Sequence, residues 1–233
     1  MNKPVIYLRD IRFRYSKKDK DILNIAELQV HKGEHLFIQG SSGSGKTTLL
    51  NIITGITQAY TGDVHILDKT LQNMSVIQRD QFRVDDLGVI FQQFNLLPYL
   101  SLLENVQLPC WFSKQRSRLA GNTKQTAMRL LKELDIPEQL FNKSVNALSV
   151  GQQQRVAMAR ALIGQPKLII ADEPTSALDT NNRKRFLDLL FLEADKQGST
   201  VVFVSHDSYM AKYFPQKIEL SEINHIASNL STA

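Results

Sequence analysis

Cysteine and long apolar runs are both scarce in this sequence. Cys110 is the only cysteine among 233 residues, so no intrachain disulfide can form and a reducing compartment is expected. No apolar run approaches the roughly 20 residues of a membrane-spanning helix. The N-terminal stretch carries charges where a signal peptide needs an apolar core. We therefore expect a soluble domain, with any membrane connection made through a partner.

The charge balance is only mildly basic. The formal net charge is +5 and the sequence pI about 9.3, which is too little to indicate a nucleic acid. We therefore expect no nucleic-acid partner. The basic runs "KKDK" (17–20) and "KQRSR" (114–118) are interpreted as solvated loops, with attraction to an anionic membrane surface as the alternative.

The hydrophobic pattern predicts an α/β core interrupted by helices. "LIIA" (168–171) and "VVFV" (201–204) are continuous and branched, as in strands buried on both faces of a parallel sheet. The N-terminal segments "VIYLRDIRFRY" and "ILNIAELQV" alternate and predict antiparallel strands. Between about 96 and 146, Ala127, Leu130, Leu131 and Leu134 follow helical spacing. This region is predicted to be an inserted helical subdomain.

The stretch "GSSGSGKT" (40–47) fits the pattern G-x-x-x-x-G-K-[ST]. Small residues let backbone N–H groups turn inward around phosphate oxygens. Lys46 would bring a positive charge to the β- and γ-phosphates, and Thr47 would offer its hydroxyl to Mg²⁺. An apolar run precedes the loop and a predicted helix follows it, which favours a nucleotide site over an ordinary Gly/Ser turn.

A second acidic site is needed to hydrolyse a bound nucleotide. "LIIADEP" supplies Asp172 and Glu173 after four apolar residues, where ligands gather at the ends of parallel strands. Asp172 would reach the metal, through water, and Glu173 would polarise the attacking water. The alternative is that these carboxylates cap a turn at the end of the strand.

"LSVGQQQRVAMARAL" (148–162) resembles the signature motif of ATP-binding cassette (ABC) ATPases. The other family motifs are also present, in the order that the family has them. "GVIFQQFNLLP" resembles the Q-loop and contains Gln92, and "SALD" (176–179) resembles the D-loop. "VSHD" carries His206 at the switch-histidine position, and Tyr15 lies where the family places an adenine-stacking aromatic residue. The sequence is most similar to the lipoprotein-release, macrolide-export and cell-division ATPases of this family.

The resemblance implies a fold and a function. The fold is α/β, a P-loop NTPase core with a mainly parallel sheet, an N-terminal antiparallel β subdomain and an inserted helical subdomain. Residues 1–233 would form one nucleotide-binding domain, with 1–95 and 147–233 as core and about 96–146 as the insert. It would bind and hydrolyse ATP to power a membrane transporter or force-transmitting export complex, at the cytoplasmic face of the inner membrane.

The resemblance also assigns site residues, with ATP and Mg²⁺ as cofactors. It implies that Glu173, His206 and Gln92 are catalytic and that Thr47, Gln92 and Asp172 hold the metal. The expected nucleotide-binding residues are Tyr15, Gly40, Ser41, Ser42, Gly43, Ser44, Gly45, Lys46, Thr47, Thr48, Ser149, Gly151 and Gln152.

Two kinds of partner follow from the resemblance. The signature motif of the family faces the nucleotide of a second copy, which implies a head-to-tail homodimer around two ATP molecules. Gln92 joins the nucleotide site to the insert, and an integral membrane subunit is expected to dock near Phe94, Leu96, Leu97 and Tyr99.

The sequence departs from the family signature at one position, and the motifs also fit other functions within the family. Val150 replaces the first glycine of the signature, although Ser149 and Gly151 are present. A regulatory ABC ATPase that controls a membrane partner without moving a substrate, as in the cell-division type, fits the same motifs. Soluble relatives in DNA repair or translation have long coiled coils or two cassettes per chain, and neither feature is present here.

Overall fold

The computed structural model describes residues 3–176, 178 and 180–226. The chain divides into two compact units. The first unit is Met1–Arg83 with Val202–Ala233, and the second unit is Val84–Val201. Among the described residues, no helix combines the length and the apolar character that crossing a membrane requires.

The strands are numbered in chain order. They are β1 Ile6–Phe13, β2 Leu23–Val30, β3 Leu36–Gln39, β4 Thr61–Ile66, β5 Lys69–Thr70, β6 Leu87–Ile90, β7 Leu168–Asp172, β8 Thr200–Ser205 and β9 Gln216–Glu219.

The α-helices are numbered in the same way. They are α1 Lys46–Ile53, α2 Val76–Asp86, α3 Leu102–Phe112, α4 Lys114–Ala120, α5 Thr123–Glu133, α6 Val150–Leu162, α7 Thr180–Gln197 and α8 Leu220–Ile223.

The first unit contains the predicted antiparallel sheet. Strand β1 lies between β2 and β4, and its register with β2 runs from Ile6 opposite Val30 to Phe13 opposite Leu23. Buried and accessible residues alternate along much of both strands, because one face of such a sheet packs on the core. The antiparallel prediction is confirmed.

Parallel strands complete the first unit. Strand β3 pairs in parallel with β8 on one side and β9 on the other. Three aromatic rings pack together here: the ring centroids of Phe37 and Phe203 each lie 5.3 Å from the ring centroid of Phe214. Since parallel strands share a direction, β3 and β8 end at one edge. The phosphate-loop sequence follows β3 directly at that edge.

The second unit combines a parallel strand pair with helices. Strands β6 and β7 pair from Leu87 opposite Leu168 to Ile90 opposite Ala171. Helices α3, α4 and α5 lie within the predicted insert, between these strands in sequence. The apolar positions predicted for α5 are completely buried, which confirms their helical spacing.

A buried arginine of α4, Arg116, makes hydrogen bonds to backbone carbonyl groups elsewhere in the second unit. The Arg116 guanidinium donates to the carbonyl oxygens of Leu87 (3.1 Å), Ala161 (2.6 Å) and Ile163 (2.8 Å). Burial lowers its pKa to about 10, so it remains a cation at neutral pH. Gly164 lies against it with φ +73°, and a Cβ there would come within 2.5 Å of the Cβ of Arg116. Glycine at 164 therefore permits this close approach.

Candidate functional site

The loop after β3 folds around the Lys46 side chain. Gly43 and Gly45 have φ of +78° and +100°, a region that glycine enters without steric cost. Lys46 is only 7% exposed, and its Nζ donates to the carbonyl oxygens of Gly40 (2.7 Å) and Ser41 (2.8 Å). The loop thus holds a positive charge at the start of α1.

Two further features of this loop fit a phosphate group. Helix α1 begins at Lys46, and none of the described side chains caps its N-terminus, so its first N–H groups and its dipole favour an anion. Within the described part of the chain, the buried Ser44 Oγ has no hydrogen-bond partner. Buried hydroxyls are normally paired, and a phosphate oxygen would satisfy this one. The residues present therefore fit a nucleotide phosphate.

His206 lies at the same edge of the first unit. Gln39 of β3 is paired in parallel with Ser205 of β8, so Gly40 and His206 are the next residues of two adjacent strands. The His206 side chain is exposed. The strand register therefore places this histidine beside the beginning of the phosphate loop.

Tyr15 presents an open aromatic ring near the other end of the loop. It is 67% exposed and packs edge-on against Phe13, with 5.0 Å between ring centroids. Its hydroxyl lies 3.4 Å from Thr48 Oγ1 on α1. An exposed ring fixed beside the helix that follows the loop offers a stacking surface for a nucleotide base.

The acidic residues and Gln92 follow two paired strands of the second unit. Asp172 ends β7 and Glu173 follows it, while the pairing of Ile90 with Ala171 brings Gln92 to the same edge. Glu173 has φ +44°, which is rare for a residue with a side chain and is typical of functional sites. The carboxylate pair therefore ends a strand, as predicted, on a constrained backbone that the sequence pattern does not reveal.

The signature sequence begins α6. Ser149 caps the helix: its Oγ accepts from the Gln152 N–H (3.3 Å), and Gln152 Oε1 accepts from the Ser149 N–H (3.0 Å). Val150 is 50% exposed, and among the described residues a Cβ at Gly151 would meet only Leu178, at 3.8 Å. The helix N-terminus is therefore preformed and accessible. Of the D-loop, Ala177 and Asp179 lie outside the described residues.

The predicted docking segment is only partly at the surface. Tyr99 is 78% exposed and Phe94 only 9%, while Leu96 and Leu97 are half-buried. Phe94 is therefore buried, which does not fit a surface contact, and its backbone has a left-handed conformation (φ +57°). Three of the four predicted positions remain accessible.

Sequence reasoning missed Arg160, which contacts this segment from α6. Its guanidinium donates to the carbonyl oxygens of Phe94 (2.5 Å) and Asn95 (2.6 Å). Burial lowers the pKa of Arg160 to about 10. The available signal was an arginine inside the otherwise apolar stretch "VAMARAL".

Comparisons with known proteins agree with these observations. A family model described as ABC transporter matches residues 23–176. MJ0796 of Methanocaldococcus jannaschii, an uncharacterized ABC transporter ATP-binding protein, is 38% identical over 221 residues, 94% of this chain and 94% of that protein. LolD of Buchnera aphidicola, the ATP-binding protein of a lipoprotein-releasing system, is 39% identical over 207 residues, 88% of this chain and 89% of LolD.

Solved structures of MJ0796 are similar along most of the chain. A dimeric cassette and a post-hydrolysis dimer bound to ADP and Pi each have a TM-score of 0.80. They are 36% and 35% identical in sequence, and each covers 92% of this chain and 93% of the solved chain. The predicted α/β P-loop NTPase fold and the predicted ATPase activity are confirmed. The chain belongs to the ABC transporter family and is an ATP-binding subunit that drives a membrane transporter with ATP.

Proposed function

We propose that this chain hydrolyses Mg²⁺-ATP as one half of a head-to-tail homodimer and transmits the energy to an export or extraction complex. The observation that carries this proposal is the phosphate loop, with its buried Lys46 and with a helix N-terminus and a Ser44 hydroxyl that no described side chain caps or pairs. Residues 96–146 would be the insert that receives the membrane subunit, and the remaining residues the ATPase core.

The nucleotide would be held mainly by backbone N–H groups of residues 40–48. Lys46 would turn from the loop carbonyls toward the β- and γ-phosphates, and Tyr15 would stack on adenine. Thr47, Gln92 and Asp172 would hold Mg²⁺, which neutralises charge on the β- and γ-phosphates when bound. Oxygen ligands of this kind suit Mg²⁺.

Hydrolysis would require a positioned water. The water oxygen forms a bond to the γ-phosphorus as the bond to the bridging β,γ-oxygen breaks, giving ADP and inorganic phosphate. Glu173 would polarise the water and accept its proton. His206 would donate a hydrogen bond to the γ-phosphate, where negative charge accumulates, and Gln92 would orient the water.

The second copy would complete each site. Ser149, Gly151 and Gln152 at the N-terminus of α6 would face the nucleotide of the partner, since a helix N-terminus attracts anions. The dimeric structures of MJ0796 support the formation of a dimer. Losing the γ-phosphate would weaken the interface, which converts hydrolysis into motion.

The membrane subunit would dock near Leu96, Leu97 and Tyr99, at the cytoplasmic face of the inner membrane. The similarity to LolD, which belongs to a lipoprotein-releasing system, supports export or extraction as the work performed. The test is purification of the tagged chain from native membranes in mild detergent, with the bound subunit identified and hydrolysis measured. Recovery of an integral membrane subunit that stimulates hydrolysis is expected, and a chain that is recovered alone contradicts the proposal.

A further inference from the structure

Arg160 occupies an unusual position for a cation. It is 9% exposed, near the C-terminal end of α6, and the described part of the chain offers it no carboxylate within ion-pair distance. Its two terminal nitrogens donate to the backbone carbonyls of Phe94 and Asn95. A buried cation that is satisfied by two backbone oxygens ties those oxygens firmly to its own helix.

The backbone that Arg160 contacts is itself constrained. Phe94 and Asn95 are consecutive residues with φ of +57° and +50°, a region that costs free energy for residues with a Cβ. Such a turn persists only where its surroundings hold it. The planar fork of an arginine matches two neighbouring carbonyls better than a lysine ammonium does, so Arg160 is the group that stabilises this turn from α6.

A second contact holds the same segment a few residues later. Asn105 of α3 is completely buried, and its side chain accepts from the Leu97 N–H (2.8 Å) and donates to the Leu97 carbonyl (3.0 Å). The backbone of residues 94–97 is therefore fixed at one end to α6 and at the other to α3. This segment follows Gln92 closely and includes the proposed docking residues Leu96 and Leu97.

We propose that Arg160 is a positioning residue that couples the signature helix to the docking segment. This inference rests on the proposed function, in which Ser149 at the other end of α6 meets the nucleotide of the second copy. Helix α6 has 13 residues and is therefore about 20 Å long. Because a helix of this length is a rigid element, a shift at Ser149 would also displace Arg160, and the two hydrogen bonds of Arg160 would pass the shift to the Phe94–Asn95 turn.

The test compares Arg160→Met with two matched variants. Arg160→Met keeps an unbranched apolar stem and removes the donors, and Arg160→Lys keeps the charge without the fork. Arg116→Met removes another buried guanidinium of the second unit, one that holds different carbonyls. Each is built with Glu173→Gln so that hydrolysis is slowed, and amide hydrogen exchange of residues 94–97 is measured with and without Mg²⁺-ATP.

With arginine at 160, ATP is expected to slow exchange of these amides, and Arg116→Met is expected to keep that response. In Arg160→Met the response should disappear, and exchange without ATP should rise about tenfold, since hydrogen bonds to a charged group are lost. ATP affinity should stay within about twofold, because no nucleotide contact changes. Arg160→Lys should show part of the ATP-dependent slowing of exchange. If Arg160→Met does not fold, the same measurement is made on Arg160→Lys.

A second measurement uses the assembled membrane complex without the Glu173 substitution. Arg160→Met should lower the stimulated kcat about tenfold and leave KM for ATP unchanged. An ATP response of residues 94–97 that persists in Arg160→Met overturns the inference. Failure of the wild-type chain to acquire a stimulating subunit would instead contradict the proposed function, and the exchange measurement on the isolated chain would still decide the role of Arg160.

Discussion

Gln39 and Ser205 are paired in parallel at the ends of β3 and β8, so Gly40 and His206 leave the sheet side by side. This register explains how a histidine distant in sequence comes to lie next to the phosphate loop. It also places a hydrogen-bond donor at the edge where the γ-phosphate is expected, because ligands gather at the carboxyl ends of parallel strands.

His206→Ala should therefore impair hydrolysis more than binding. Phosphate release should fall about 10²–10³-fold, as for the loss of one donor to a charge that develops in the transition state. Affinity for Mg²⁺-ATP should change only a few-fold. Steady-state phosphate release and nucleotide-titrated fluorescence measure the two effects. His225→Ala, at another exposed histidine of the same unit, is the control, and equal effects of the two substitutions would contradict the role of His206.

Lys46→Ala should weaken nucleotide binding. The substitution removes the charge that the loop encloses, and losing a charged hydrogen bond costs about 1.5–3 kcal/mol, or about 10–100-fold in affinity. Fluorescence titration with ATP measures the change. Lys114→Ala, at an exposed lysine, is the matched control. Unchanged affinity in Lys46→Ala would exclude Lys46 as the phosphate ligand.

Gly164→Ala should destabilise the chain without a direct effect on ATP binding. Its new Cβ would come within 2.5 Å of Arg116 Cβ, whereas a Cβ at Gly121 would meet none of the described residues within 4 Å, although φ is also positive there. The free energy of unfolding should therefore fall by at least about 1 kcal/mol more in Gly164→Ala than in Gly121→Ala. Urea unfolding followed by circular dichroism measures both. Equal losses would show that the contact with Arg116 is not tight.

Leu97→Asp should separate ATP binding from assembly. Leu97 is half-buried in the proposed docking segment, and a carboxylate there would have to be desolvated against the membrane subunit. Recovery of that subunit on purification should fall at least about tenfold, while ATP affinity of the isolated chain should remain. Leu119→Asp, at a 42% exposed leucine of α4, is the control. Full recovery with Leu97→Asp would place the docking surface elsewhere.

Local patterns revealed most of the fold and the nucleotide loop. Alternation with a period of two predicted β1 and β2, and continuous runs of branched residues predicted β7 and β8. The fixed spacing of glycine and lysine predicted the phosphate loop, whose conformation depends on residues close together in sequence. Each of these features is determined by residues close in sequence. They could therefore be recognised without knowing the tertiary structure.

Contacts between distant residues could not be predicted in this way. Arg160 reaches Phe94 across 66 residues of sequence and Arg116 reaches Ile163 across 47, so their partners depend on how the helices pack. The burial of Phe94 and the positive φ of Glu173 likewise follow from tertiary packing, which overrides local preference. Phe94 was consequently predicted as a docking residue although its side chain is buried.

Glu173→Gln should separate nucleotide binding from hydrolysis, because Glu173 is proposed to activate the attacking water. The amide keeps the shape of the side chain but cannot accept the proton of the attacking water, so phosphate release should fall about 10²–10⁴-fold. ATP binding should remain, and size-exclusion chromatography with Mg²⁺-ATP should show a persistent dimer. Asp172→Asn is the matched comparison and should weaken both binding and hydrolysis. The deciding measurement is single-turnover phosphate release by Glu173→Gln. A large fall in the rate of release with ATP still bound would support Glu173 as the residue that activates water, and a near-normal rate would contradict that role.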